Sequence, residues 1–232
     1  MNVALFLMLS VLETITEIDG KFLLLVNGYH SEFWDYFMTI YSDRFVWIPM
    51  YVALFYLLLR VMSWKMALLG LAVCGLIILF CDQTCSSLIR PYVMRLRPSQ
   101  LDNPLSAYVH VVDNYRGGRF SFPSAHSANT WGLTFYIFFL FRKRMLTAFL
   151  VFWALLTCYS RMYLGVHYPG DLLAGMLLGL FGASIAYYLF QRFADYKRAP
   201  EVPKRHYLVP VLVGTITIIG ILLFSTIQVM SR

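Results

Sequence analysis

The stretch from Ser160 to Gln191 reads SRMYLGVHYPGDLLAGMLLGLFGASIAYYLFQ. Its second part, Leu172–Gln191, contains no Asp, Glu, Lys or Arg and has the length of roughly 20 residues that an α-helix needs to cross a bilayer. Within it Gly175, Gly179 and Ala183 recur every four residues, a small-residue stripe that lets two helix backbones approach closely. The first part is a polar connector holding Arg161, His167 and Asp171. A membrane span entered through a reactive connector is therefore the unit to look for elsewhere in the chain.

Further runs without acidic or basic residues cover Phe45–Leu59, Met66–Cys81, Ala125–Phe141, Met145–Ser160 and Tyr207–Ser231. Several are nearer fifteen residues than twenty, so their polar flanks must complete the crossing. The chain thus reads as an all-α, polytopic transmembrane helical bundle of six spans. Composition agrees: among 232 residues 59% are hydrophobic, 17% aromatic and only 13% charged. That excludes a water-soluble globule, which needs about 25% charged residues, and intrinsic disorder as well. Cys74, Cys81, Cys85 and Cys158 all lie in apolar runs, which excludes a secreted disulfide framework and a zinc knuckle and leaves packing as their role.

Residues 1–44 differ from the rest. The apolar part of Met1–Leu12 is too short to span and carries no basic flank, which argues against a signal peptide. From Glu13 to Tyr41 apolar residues alternate with Glu17, Asp19, Lys21, Glu32 and Asp35 at roughly helical spacing, as in helices lying in the membrane interface. The expected organisation is an N-terminal interfacial helical arm (1–44), a membrane core (45–191), a basic loop (192–206) and a C-terminal transmembrane helix (207–232).

Net charge is +7, from 19 Lys and Arg against 12 Asp and Glu. Such a balance fits nucleic acid, anionic lipid or a phosphorylated substrate, and position along the chain decides against nucleic acid. Arg60 and Lys65, then Arg142, Lys143 and Arg144, then Arg192, Lys197, Arg198, Lys204 and Arg205 fall on one side if each run spans once. The positive-inside rule makes that side cytoplasmic. The opposite, outer side nevertheless carries Arg90, Arg95, Arg97, Arg116 and Arg119, an exception that an anionic substrate explains. Asp82, near the outer end of the second run, reads as an ion-pair partner for Arg90 or a neighbouring arginine. The long loop before Pro123 holds His110, Asp113, Arg116 and Arg119, and loops of that length commonly serve as lids or substrate contacts.

Two outer loops carry the reactive groups. The first runs from Arg90 through Arg97-Pro98 to Pro123-Ser124-Ala125-His126; the second is Ser160 to Asp171. Ser124 sits where a helix N-cap belongs, directing its hydroxyl and the following amides at a docked anion. Arg90, Arg97 and Arg161 offer forked donors matched to phosphoryl oxygens. Asp171 close to His167 fixes an imidazole tautomer and makes the other nitrogen nucleophilic. His126 is then free to protonate a leaving oxygen. No Cys, His or carboxylate cluster with metal-ligand spacing appears in these loops.

These residues resemble the three signature motifs of the type 2 phosphatidic acid phosphatase (PAP2) superfamily: Arg97-Pro98 with a basic residue at Arg90, Pro-Ser-Ala-His at 123–126, and Ser-Arg-x5-His-x3-Asp from 160 to 171. The resemblance covers about Phe45 to Gln191. It implies a helical membrane phosphatase that needs no metal or other cofactor and works through a phosphohistidine. His167 would be the nucleophile, Asp171 its partner and His126 the acid, with Arg90, Arg97, Ser124, Ala125 and Arg161 holding the phosphate. The family usually has Lys in place of Arg90 and Gly in place of Ala125. The second departure matters if that position needs a positive φ, which the Cβ of Ala resists.

The resemblance further implies a phosphorylated membrane lipid as partner, with undecaprenyl pyrophosphate, phosphatidylglycerol phosphate, phosphatidic acid and lipid A phosphate all fitting. The site is expected on the outer face of the cytoplasmic membrane. Vanadium haloperoxidases use a similar pocket, but six spans argue against that chemistry. A non-catalytic binder of lipid headgroups is the remaining alternative, and such a protein would be expected to lose His167, His126 or Asp171.

Overall fold

The structure is a computed structural model that describes residues 3–194 and 202–231. Nine α-helices are present among them: α1 (Val3–Asn27), α2 (Glu32–Tyr41), α3 (Ile48–Val61), α4 (Trp64–Gln83), α5 (Arg90–Val93), α6 (Ala125–Phe141), α7 (Arg144–Tyr163), α8 (Pro169–Phe193) and α9 (Lys204–Met230). The described residues contain no β-strand; an antiparallel bridge between Leu96 and Phe120 closes the neck of the long loop. The all-α polytopic bundle is as the sequence indicates. Of the basic loop 192–206, residues 195–201 lie outside the described residues.

Among the described residues five segments are long and apolar enough to cross a membrane: Arg44–Val61, Trp64–Val93, Arg144–Tyr163, Pro169–Phe193 and Lys204–Met230. The sixth expected span, α6, has 17 residues and is about 25 Å long at 1.5 Å per residue. At that length its flanking residues complete a crossing of roughly 30 Å.

Helix α6 occupies the centre, with α4, α7 and α8 around it. Its tightest neighbour is α8, and the predicted small-residue stripe is the reason. A Cβ on Gly175 would stand 2.5 Å from the Ser124 carbonyl oxygen, and one on Gly179 would stand 2.5 Å from that of Ala128. Only glycine permits this approach, since real Cβ contacts lie nearer 3.5–4 Å. Along the seam the polar side chains are satisfied locally: Ser127 Oγ donates to Leu172 O (2.6 Å), Thr130 Oγ1 to His126 O (2.9 Å) and Thr134 Oγ1 to Thr130 O (2.8 Å). Cys81, from α4, closes the seam as a buried packing residue beside Gly132.

The second layer is α9 against α3, α2 and α7. Three basic turns meet at its N-terminal end. Tyr56 near the end of α3 bonds His206 (3.0 Å), and Lys143 lies over the Tyr207 ring (5.0 Å). The motif residues gather at the other end.

The N-terminal arm differs from the expected layout. Val3–Asn27 is one continuous helix, so the described part of Met1–Leu12 runs on into the following residues, and α1 packs on α7 and α8. Asn27, fully buried, donates to Tyr163 O (2.6 Å) and His110 O (2.9 Å) and accepts from His110 N (2.7 Å). Helix α2 has the expected amphipathic pattern, with Phe37, Met38 and Tyr41 buried.

Candidate active site

Helix ends place Arg90, Ser124, His126, Arg161 and Asp171, while Arg97 and His167 lie in the loops between them. Continuing from α4, a π-helical stretch, Thr84–Ile89, leads into α5. Arg90 therefore stands on a helical turn, and the loop begins only at Met94, in the left-handed conformation with φ 47°. Pro91, at an N-terminal position of α5, breaks no hydrogen bond there. Arg161 likewise lies within the last turn of α7, leaving only 164–168 as the connector to α8.

Ser124 is the N-cap of α6, with extended backbone, and its Oγ faces the Ser127 N–H at 3.5 Å. Its own N–H donates to Asp171 O (3.0 Å), which joins the starts of α6 and α8. Ala125 is helical and absent from the positive-φ positions. Its Cβ therefore carries no conformational cost here, and the departure from glycine is harmless.

The three arginines converge. Arg90 donates through Nε and Nη2 to Pro123 O (3.3 and 3.0 Å). Arg97 is buried; its Nε donates to Phe120 O (3.1 Å), while its Nη1 has no partner. Burial first, and then the charges of Arg90 and Arg161, hold the Arg97 guanidinium down to about 10. Arg161, 2% exposed, gives Nη2 to the Tyr115 hydroxyl (3.3 Å) and has an unpartnered Nε. Unpartnered buried guanidinium nitrogens are costly, and a phosphoryl group is the anion whose oxygens match them. Burial works to raise the Tyr115 phenol, but Arg161 and Arg97 outweigh it and the net direction is down.

His167 is fully buried in the connector, and neither ring nitrogen makes a well-formed hydrogen bond. Its Nδ1 lies 3.5 Å from Asp171 Oδ2, a contact distance longer than a good hydrogen bond. Burial chiefly, with Arg97, Arg161 and Arg90 adding to it, holds the imidazole well below 6.5, although the Ser121 backbone opposes them. The ring is therefore neutral near pH 7, as an attacking nitrogen must be. His126, at the start of α6, lies within electrostatic reach of Arg161, His167, Arg97 and Arg90. All the motif residues thus come together at one end of the bundle.

Two further residues join them. Asp171, at the third position of α8, accepts the Tyr168 N–H (2.9 Å) and Arg95 Nη1 (3.0 Å). Arg95 lies over the Tyr168 ring, 3.8 Å from its centroid, and gives Nη2 to Asp19 Oδ2 (2.6 Å). Their pairing spans 76 residues, so local pattern could not reveal it. The signal available was an outer-side arginine that breaks the positive-inside rule and an outer-side acid.

Other expected partnerships differ. Asp82 forms no ion pair among the described residues, since Arg90 is turned to Pro123. The loop residues hold the loop: His110 binds Asp35 (3.0 Å), Arg116 donates to the Ser99 carbonyl, and exposed Arg119 pairs with Asp102 (3.5 Å).

Comparison with known proteins matches residues 63–195 to the PAP2 superfamily. Over 224 residues the chain is 42% identical to the lipid A 4'-phosphatase of Bacteroides thetaiotaomicron, covering 94% of this chain and 100% of that protein. It is 32% identical to the lipid A 4'-phosphatase of Porphyromonas gingivalis over 78% of this chain and 77% of the relative. It is 31% identical to an undecaprenyl-diphosphatase of Sulfolobus acidocaldarius, over 62% of this chain and 63% of the relative. No solved structure matches it.

Proposed function

The chain belongs to the PAP2 superfamily as an integral membrane phosphatase, and we propose that it removes a phosphate monoester from a lipid of the lipid A type through a phosphohistidine on His167. The observation that carries this reading is the buried, unpartnered His167 ring set among three arginines and beside Asp171. Asp171 lies nearer Nδ1, which leaves Nε2 as the attacking nitrogen.

The Nε2 lone pair forms a bond to phosphorus as the bond from phosphorus to the lipid oxygen breaks. His126, which the negative charge of the bound phosphate allows to hold a proton, gives that proton to the lipid oxygen. Water then attacks the phosphohistidine, His126 takes up a proton, and inorganic phosphate leaves with the imidazole restored. Arg90, Arg97 and Arg161 neutralise the charge that spreads over the phosphoryl oxygens, assisted by the Ser124 cap and the amides at the start of α6. Three guanidinium groups supply that neutralisation without a divalent ion, so turnover is expected to persist in excess EDTA.

The preference for a lipid A phosphate rests on the similarity over the whole chain to a lipid A 4'-phosphatase; the likeness to an undecaprenyl-diphosphatase covers less of the sequence. The basic turns at 60–65, 142–144 and 204–205 support a site on the outer face of the cytoplasmic membrane. The test is phosphate release by purified full-length protein from lipid A, undecaprenyl pyrophosphate and phosphatidic acid, with trapping of acid-labile ³²P. Fastest release from lipid A with label on the wild type and none on His167→Ala is the expected result. Label on His167→Ala overturns the nucleophile, and faster release from undecaprenyl pyrophosphate overturns the substrate.

A further inference from the structure

Helix α1 lies outside the matched family region, which begins at residue 63, yet it reaches the site through one side chain. Asp19 is 8% exposed and both its oxygens are engaged. Oδ1 accepts the Gly170 N–H (2.7 Å) and Oδ2 accepts Arg95 Nη2 (2.6 Å). Gly170 is the second residue of α8, so the carboxylate sits at a helix N-terminus, where negative charge is favoured. The approach needs glycine, because a Cβ there would stand 2.9 Å from Asp19 Oδ2.

We propose that Asp19 is a positioning residue for the reaction: it pins Arg95 onto Asp171 and so sets the carboxylate that orients His167. The inference rests on the roles given above to His167 and Asp171. Asp171 is wholly buried, and its Oδ2 takes the Tyr168 N–H while facing His167 Nδ1. Its Oδ1 is bound by Arg95. Without that guanidinium the buried oxygen loses its charged partner, and the carboxylate is free to turn away from the imidazole.

Arg95 needs an anchor for a specific reason. It is 23% exposed, follows the left-handed Met94, and stands at an end of the molecule built to receive phosphate. A loosely held guanidinium there is drawn to the substrate's own oxygens. Stacking on Tyr168 restrains its plane, and the short contact to Asp19 fixes its far edge, so Nη1 stays on Asp171. The N-terminal helix is in this way part of the catalytic unit.

The experiment compares Asp19→Asn, Asp19→Glu and Arg95→Lys with wild type in full-length detergent-solubilised protein, using lipid A and p-nitrophenyl phosphate. Asn keeps the size of the side chain but can present an N–H where Arg95 needs an acceptor. The expected result is a fall in kcat of roughly 10- to 100-fold, the effect known for partners that orient metal-bound histidines. KM should stay within about threefold, trapped phosphoenzyme should form correspondingly more slowly, and Glu should restore part of the rate. Glu17→Gln, changing an exposed residue of the same helix, should behave as wild type.

A wild-type kcat in folded Asp19→Asn overturns the proposal. So does a loss of thermal stability that removes active protein without altering kcat per active site. Should Asp19→Asn fail to accumulate, Gly170→Ala displaces the same carboxylate and is expected to show the same split, with unchanged kcat again overturning the idea. If His167→Ala is dead while Asp19→Asn is fully active, the positioning role alone fails. If His167→Ala still turns over, the nucleophile itself was misassigned.

Discussion

The motif end of the α6–α8 pair and the glycine seam beside it obey opposite rules. In the seam backbones touch across Gly175 and Gly179, and the hydroxyls of Ser127, Thr130 and Thr134 all donate to carbonyls. At the motif end, Arg97 Nη1, Arg161 Nε and both nitrogens of His167 are buried without partners. The difference separates two kinds of burial. The seam hydroxyls are satisfied within the protein; the motif end holds buried donors left unpaired, a cost that the proposed phosphate would offset.

The sharpest way to break that contrast is to trade activity against stability at Arg97. Arg97→Met removes the fork proposed to hold phosphoryl oxygens, and kcat/KM should fall by about 10²- to 10³-fold, as when a comparable donor is removed elsewhere. It also removes a buried unpartnered nitrogen and the repulsion from Arg90 and Arg161. Its thermal midpoint in detergent should therefore equal or exceed that of wild type; a large decrease would mean that Arg97 serves the fold.

Gly179→Leu should do the reverse. The new side chain meets backbone at Ala128 and Gly132 that cannot yield, and overpacking of this kind costs about 1–3 kcal/mol or more. A lowered midpoint with near-normal kcat per folded molecule is expected. An unchanged midpoint would show that the helices part easily and that the seam is not the rigid element.

The pH profile sharpens the same comparison more gently. His167 is held well below 6.5, first by burial and then by the arginines, so its unfolded-state value is the higher one. The unfolded chain binds the extra proton, and this group's contribution to stability is complete above about pH 6.5 and is lost as pH falls from there toward the folded value. Stability followed by thermal melts should decline in that window for wild type and decline less for His167→Ala. The acid limb of kcat/KM assigned to His167 should likewise lie below pH 6.5. Losing an arginine weakens the repulsion of the imidazolium, so Arg97→Met should move that limb upward.

The smallest effect belongs to Arg119. Its contact with Asp102 is 3.5 Å and both side chains are 68% exposed, and such pairs contribute about 0–1 kcal/mol. Arg119→Ala should alter kcat/KM on p-nitrophenyl phosphate less than about threefold. A loss as large as that of Arg97→Met would place Arg119 inside the phosphate site.

How far the sequence reaches can be followed residue by residue. His126, His167 and Asp171 were legible because their motifs resemble those of a known family and alternating spans bring their loops to one side. Gly175 and Gly179 were legible as a close-packing stripe because a helix repeats its faces locally. Helix boundaries were less so: Arg90 and Arg161 read as loop residues, yet they stand on helical turns. Charge marks where a run ceases to be apolar, whereas a helix continues wherever its backbone bonds can still close.

By itself the amino-acid sequence determined the all-α membrane architecture, the seam and the set of motif residues that gather at one end of the bundle. Each follows from residue type at short, periodic or motif-length spacing. Only the tertiary structure decided that Asp82 pairs with no arginine among the described residues, that α1 packs against the core, and that Arg95 bridges Asp19 and Asp171. The reason is physical: Gly170 and Asp19 are 151 residues apart, and nothing local to either favours the contact. It forms because packing carries α1 past the start of α8, where a helix N-terminus, a missing Cβ and a guanidinium meet one carboxylate.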